Sequence, residues 1–397
     1  MNPFQRNIPL LAFCQAMMMS GNSLVVATAA LVGFALAEDK SLATLPLAVQ
    51  FIATMFTSIP ASLIMDRIGR KPGFLLATLF GLSGGVIATL AIIHHQFWWF
   101  VLATSLFGIY NGFGNYYRFA AADAVDEEHK SRAIAFVIAG GVIAAFVGPN
   151  LANYTRNVIT DATFAGSYAS MLGLYLLTIL TLSVISLPHR YADHQHITDT
   201  QRPLKQIAAQ PAFIVALICG MLGYGVMSLV MTATPLAMQH HHHMFGDTSF
   251  VIQWHVLGMF APSFFTGNLI RRFGVLNIMF LGAVFGLLCV AINLLGTTVA
   301  HFWTALLLLG VSWNFLFIGA TTLLTSTYRP AERAKTQALN DFVVFTTVSL
   351  SALTAGTLQH RYGWQVVNLG VVPLLLIIIA SILWLKSRTQ GQTVLQH

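Results

Sequence analysis

The 397-residue sequence predicts an all-α membrane protein, with twelve transmembrane helices in two pseudo-symmetric six-helix halves. Three observations predict it. Only 8% of the residues are charged and 56% are hydrophobic, whereas soluble domains carry about 25% charged residues. The apolar residues gather in runs of about 20, enough for a helix to cross a hydrocarbon layer of about 30 Å. The basic residues lie almost entirely on alternate links between those runs.

The first run, 8–36, follows "MNPFQRN". It is longer than the apolar region of a cleaved signal peptide, about 7–15 residues, so a retained span is expected. The others are 42–64, 73–94, 97–121, 133–155, 164–187, 210–237, 248–270, 275–295, 300–324, 335–358 and 364–386. The links are short and polar except 188–209, "PHRYADHQHITDTQRPLKQIAA", which separates an N-terminal half, 1–187, from a C-terminal half, 210–397. With the N-terminus in the cytoplasm, sixteen basic residues fall on inside links and tails, and only Lys40, Arg156 and Arg361 fall outside. That asymmetry predicts both termini in the cytoplasm and a multi-pass protein of a bacterial-type inner membrane. The net charge of +7 is thus a topology signal, not a nucleic-acid surface. Cys14, Cys219 and Cys289 sit inside apolar runs and read as small buried hydrophobes. A monomer in the lipid bilayer is expected, with no cofactor.

The halves repeat at an offset of 205. "SLV" at 23–25 recurs at 228–230, "FGL" at 80–82 at 285–287, and "FW" at 97–98 at 302–303. Cys14 meets Cys219, and Arg67–Ile68–Gly69 meets Arg272–Phe273–Gly274. Two parallel six-helix halves with a site near the midplane are an architecture of secondary transporters.

The link between spans 2 and 3 reads "SLIMDRIGRKPG", residues 62–73. It resembles the signature G-x-x-x-D-[RK]-x-G-[RK]-[RK] of the major facilitator superfamily. Asp66, Arg67, Gly69, Arg70 and Lys71 match, and Ser62 stands where that family has glycine. The C-terminal copy, "GNLIRRFG", keeps Gly267, Arg272 and Gly274 but has Arg271 in place of the acid. The resemblance implies a cytoplasmic latch made of Asp66, Arg67, Gly69 and Arg70. Asp66 would face the positive N-terminus of span 11, and Arg70 would pair with Asp123. The bland alternative is a set of topology-setting loop charges.

Span 5, "GGVIAAFVGPNLAN" at 140–153, partly resembles the glycine–proline signature of proton-coupled antiporters through Gly148 and Pro149. A packing kink explains it as well. The arginine that drug exporters carry before the "NG" step of span 4 is absent, Gly108 standing there ahead of Asn111–Gly112.

Charged residues inside a span are functional candidates by default. They are Asp341 in "QALNDFVVF" and Arg118 in "GNYYRFAAAD". The expectation is an ion pair between the halves that breaks as Asp341 is protonated, or an anion site at Arg118 beside Tyr116 or Tyr117. A static structural pair is the third reading. His255, in "IQWHVLGMF", aligns with Gln50 at the repeat offset and suits proton transfer or substrate binding; a packed neutral imidazole is the alternative. Asn22, Gln50, Asn111, Asn115, Gln253, Trp313 and Asn314, with Tyr116, Tyr117 and His255, are the expected cavity lining. Helix-to-helix bonding is the alternative for each. "QHHHHMFGD" at 239–247 carries His240–His243 on an outer link. Consecutive side chains diverge and do not build a tetrahedral site, so no specific metal is expected.

The function expected from these features is secondary active transport of a small solute, with protons as the coupling ion. Export of an amphipathic or drug-like compound stands first. Uptake of a small organic anion, nutrient or metallophore is the alternative, and a transporter-like membrane sensor is the alternative of another class. An enzyme is not expected, and no nucleotide-binding P-loop occurs in the sequence.

Overall fold

In lipid every backbone N–H needs a partner within its own segment, which leaves helices as the structure for isolated apolar runs. The computed structural model describes residues 3–123, 133, 136–137, 139–187, 202–329 and 332–394, and among them there is no strand. The helices are α1 (Pro3–Leu36), α2 (Leu45–Ile68), α3 (Arg70–Ile93), α4 (Phe97–Gly114), α5 (Tyr117–Asp123), α6 (Gly140–Thr155), α7 (Ala165–Val184), α8 (Leu204–Ala208), α9 (Pro211–His240), α10 (Phe245–Phe260), α11 (Ser263–Phe273), α12 (Val275–Leu295), α13 (Val299–Thr325) and α14 (Arg333–Val394).

Every one of the twelve expected spans has a helical counterpart. Eight helical stretches among the described residues are by themselves long and apolar enough to cross a membrane. Spans 4, 5 and 8 are shorter or broken. Span 4 breaks between α4 and α5 at Asn115–Tyr116, and span 8 between α10 and α11 at Ala261–Pro262, where proline withholds an N–H. The last two spans form one helical run, broken at Gly363 (φ 78°, ψ 177°). Large apolar side chains such as Phe56, Leu79, Leu180, Phe264 and Leu376 are exposed along these helices, as a lipid-facing surface requires.

The glycine of the sequence signature has a local reason. Gly69 adopts φ 92°, ψ 156° between α2 and α3, and its N–H closes α2 by bonding to the Met65 carbonyl at 2.9 Å. Gly274 adopts φ 84°, ψ 148° between α11 and α12, and its N–H bonds to the Ile270 carbonyl at 2.8 Å. That region of backbone space is essentially reserved for glycine. The 205-residue repeat is therefore also a repeat of backbone conformation.

The described chain forms two compact units, Met1–His194 with Pro235–Leu257, and Gln195–Thr234 with Gly258–His397. In the first unit, small residues bring helices close. A Cβ on Gly108 of α4 would lie 2.3 Å from the Gln50 carbonyl oxygen of α2, and one on Gly148 of α6 would lie 2.5 Å from the Ser20 carbonyl oxygen of α1. All three cysteines are fully buried and free, as expected.

Candidate functional site

The first unit holds a cluster of three primary amides. Asn22 of α1 accepts two hydrogen bonds on its Oδ1, from Gln50 Nε2 of α2 at 2.6 Å and from Asn111 Nδ2 of α4 at 3.1 Å. Gln50 is fully buried, while Asn22 and Asn111 are partly exposed. Thr54 Oγ1 donates to the Gly108 carbonyl at 3.1 Å, which ties α2 to α4 one turn beyond Gln50. The tight Gly108 crossing leaves no volume for an arginine, which explains physically why the drug-exporter residue is missing. Asn115 is partly buried at the α4–α5 break. Tyr116 donates its hydroxyl to the Ser58 carbonyl at 2.9 Å. Tyr117 is fully buried, its ring 4.3 Å from that of Phe74, a packing position.

In the second unit, α13 carries an aromatic box. Trp313 and Phe317 stack at 4.9 Å and 10°. Tyr224 of α9 meets both edge-on, at 5.3 Å and 5.5 Å, and Phe260 and Phe345 complete the group. Trp313 was legible in the sequence but Tyr224 was not, because one tyrosine in an apolar run carries no periodic signal. Asn314, expected in the cavity lining, is fully buried and bonded throughout. It accepts from Thr266 Oγ1 at 2.7 Å and donates to the Met259 carbonyl at 2.6 Å and to Ser263 Oγ at 2.7 Å. The bond to the Met259 carbonyl satisfies a backbone group at the α10–α11 break, and those to Ser263 and Thr266 lie beyond it, so Asn314 bridges the two parts of span 8.

The signature between α2 and α3 divides by role. Asp66 and Arg67 are exposed, and Arg70 is partly buried. Lys71 Nζ donates to the carbonyls of Ser183 at 2.8 Å and Ile185 at 2.9 Å. It caps the C-terminus of α7, where unpaired carbonyls favour a cation. The Asp123 side chain lies outside the described residues.

Arg118 is exposed, with its guanidinium 4.8 Å from the Phe119 ring centre. Asp341 is exposed and accepts from Asn340 Nδ2 at 3.1 Å. His255 is fully buried in α10. Gln253, two residues nearer the start of that helix, accepts from Asn150 Nδ2 at 2.7 Å, and Ser249 Oγ donates to the Pro149 carbonyl at 2.7 Å. The glycine–proline step of α6 is thus bonded to α10 within the first unit.

At the end of α3 remote from Gly69, a cavity of about 480 Å³ lies among Leu31, Ile92, His95, Arg156, Asp161 and His243. Arg156 sits over the Phe245 ring at 5.5 Å. The histidine run itself closes α9. His242 takes a left-handed φ of 61°, with His242 N–H bonded to the Gln239 carbonyl and His243 N–H to the Met238 carbonyl, both at 3.0 Å. This is a Schellman cap. Burial first, then the neighbouring imidazoles, lowers the His241 pKa from its ordinary value. Among the described residues no metal-ligating cluster occurs.

A further polar assembly was missed from sequence because its members are far apart. Arg202 Nη2 lies 2.6 Å from Glu332 Oε2, and Arg202 Nε and backbone N–H each lie 2.9 Å from Oε1. Arg329 N–H adds a bond at 3.0 Å, and Lys335 Nζ reaches the Arg202 carbonyl at 2.6 Å. The Arg202 hydrogen bonds, foremost, hold the Glu332 carboxyl well below the usual carboxylate range, and Glu332 in turn raises Arg202.

The comparisons with known proteins agree with this architecture. The family model for the Major Facilitator Superfamily matches residues 11–345 and 216–396. A riboflavin transporter of Brucella anthropi, RfnT, is 43% identical over 385 residues, which cover 97% of this chain and 97% of that protein. An uncharacterized MFS-type transporter of Bacillus subtilis, YddS, is 23% identical over 405 residues, 98% of this chain and 92% of that one. Among solved structures, the nucleoside transporter NupG aligns with a TM-score of 0.71 at 16% identity, covering 96% of this chain and 98% of its own. An auto-inhibited POT family peptide transporter aligns with a TM-score of 0.68 at 12% identity, covering 97% of each. At those identities the two structures speak for the fold alone.

Proposed function

Since the chain belongs to the major facilitator superfamily and is a multi-pass secondary transporter, not an enzyme, we propose that it takes up riboflavin or a close flavin relative across the inner membrane. The observation that carries this reading is the 43% identity to a riboflavin transporter over 97% of both chains. Two local features support it. The box of Tyr224, Trp313 and Phe317 suits a flat fused ring. The uncharged amides Asn22, Gln50 and Asn111 suit a neutral polar solute.

Proton-coupled export of a drug-like compound, the first expectation from sequence, is the weaker reading. The Gly108 crossing has no room for the exporter arginine, and the 43%-identical relative is named for a vitamin. Coupling to protons through Asp341 and a monomeric state stay within this proposal. A membrane sensor has no separate support.

The test is growth rescue. A bacterium unable to synthesise riboflavin and lacking its own uptake system is supplied with this chain and a limiting concentration of the vitamin. Growth, with saturable accumulation of labelled riboflavin, is the expected result. Good membrane expression without either result overturns the proposal.

A further inference from the structure

The amide cluster has more hydrogen-bonding capacity than it uses internally. Both lone pairs of Asn22 Oδ1 are occupied, one by Gln50 Nε2 and one by Asn111 Nδ2. A flipped Asn22 alone would set its NH2 against two donors, so the three amides are oriented as one unit. Gln50 is oriented by the same logic, since its nitrogen is committed to Asn22 and its oxygen lies on the other branch. That oxygen, Oε1, is buried and receives no hydrogen bond. Buried acceptors are normally paired, and an exception calls for a reason. The Asn22 NH2 donates nothing within the cluster. What the three residues leave over is a buried acceptor and a donor on one cluster, packed at the Gly108 crossing, whose members Asn22 and Asn111 are partly exposed.

We propose that Asn22, Gln50 and Asn111 recognise a cyclic imide edge on the cargo, an N–H flanked by ring carbonyls. The imide N–H donates to Gln50 Oε1 and an adjacent carbonyl accepts from Asn22 Nδ2. A carboxylate or phosphate offers only acceptors and would meet Gln50 Oε1 unfavourably, so the cluster selects against anions at this place. The inference deepens the flavin reading, since the pyrimidinedione end of the isoalloxazine ring is such an edge, and it rests on that reading for its choice of cargo.

The experiment uses the full chain in lipid nanodiscs, with riboflavin binding followed by flavin fluorescence. The paired probe is riboflavin methylated at N3, which removes the one donor of the imide edge and changes nothing in the protein. Riboflavin is expected to bind, and the methylated form to bind about tenfold more weakly or worse, the scale of one lost hydrogen bond to a site built for it. Asn22→Asp keeps the acceptor used by Gln50 and Asn111 but removes the NH2. It is expected to weaken riboflavin by a similar factor while the thermal midpoint stays near that of the parent. Equal affinity for the two flavins overturns the imide assignment and leaves the flavin reading standing. Should riboflavin not bind, uridine and 3-methyluridine are compared instead. Uridine binding lost on methylation retains the imide site and removes the flavin reading. Absence of binding by either imide overturns both.

Discussion

Arg202 and Glu332, 130 residues apart in sequence, form a two-pronged ion pair in which Nη2 meets Oε2 at 2.6 Å and Nε meets Oε1 at 2.9 Å. The pair fastens the end of the central link to the start of α14 inside the second unit. Because Arg202 lowers the Glu332 pKa on folding, the stabilisation is complete above the unfolded value of 4.5 and fades as pH falls toward the folded one. Glu332→Gln should therefore lower the thermal midpoint at neutral pH, and the gap to the parent should narrow at about pH 3, well inside the window below the unfolded value. Thermal unfolding in detergent at the two pH values checks this. A gap of constant size would mean that the charge is not its origin.

Gly108 is fixed by distance, not conformation. Gly108→Ala places a methyl 2.3 Å from the Gln50 carbonyl oxygen, so α2 and α4 must separate. A destabilisation of about 1–3 kcal/mol is expected. Gly108→Arg, which restores the drug-exporter residue, should abolish the folded species, as read by size-exclusion chromatography of the detergent extract. A well-folded arginine variant would remove this explanation for its absence.

Gly274 isolates backbone strain from crowding, since a Cβ there would meet nothing within 4 Å. Gly274→Ala should still cost about 1–3 kcal/mol, because φ 84°, ψ 148° is poorly accessible to alanine. Comparable stability of the variant and the parent in thermal unfolding would count against it.

Trp313 stacks on Phe317 and meets Tyr224 edge-on. Under the flavin proposal, Trp313→Leu should raise the KM for riboflavin uptake about tenfold, and Trp313→Phe should recover most of it. The expected split is in KM with membrane expression unchanged. Loss of expression in both variants would mark the box as packing only.

Asp341 is the acid within span 11 and accepts a hydrogen bond from Asn340. If uptake is proton-coupled through it, Asp341→Asn should abolish accumulation driven by an imposed pH gradient while leaving downhill exchange in place. Proteoliposome flux with and without the gradient separates the two. Gradient-driven accumulation by the variant would exclude Asp341 from coupling.

Much of this was legible in sequence where the physics is local. An uncharged run of about twenty residues has one stable form in lipid, so the spans were readable within a few residues. Gly69 and Gly274 stood out because the repeat set them in equivalent places. Lys71 was legible as a charge on the link between two spans but not as the cap of α7, since its acceptors are 112 and 114 residues away. Glu332 looked like any loop acid for the same reason. The amides show the limit of residue type alone. Asn22 and Asn314 are chemically identical, yet Asn22 keeps a free NH2 while Asn314 is saturated by the break in span 8. Only the neighbours tell them apart.

Since Gly69 and Gly274 share one backbone shape, the two turns are interchangeable parts. The hexapeptide Asp66–Lys71 should transplant onto 271–276 without rebuilding either junction, which supplies the acid that Arg271 replaces. Such a symmetrised molecule would carry matching turns on both repeats, and its resting orientation would report whether the single acid of the native protein acts as a bias between its two faces.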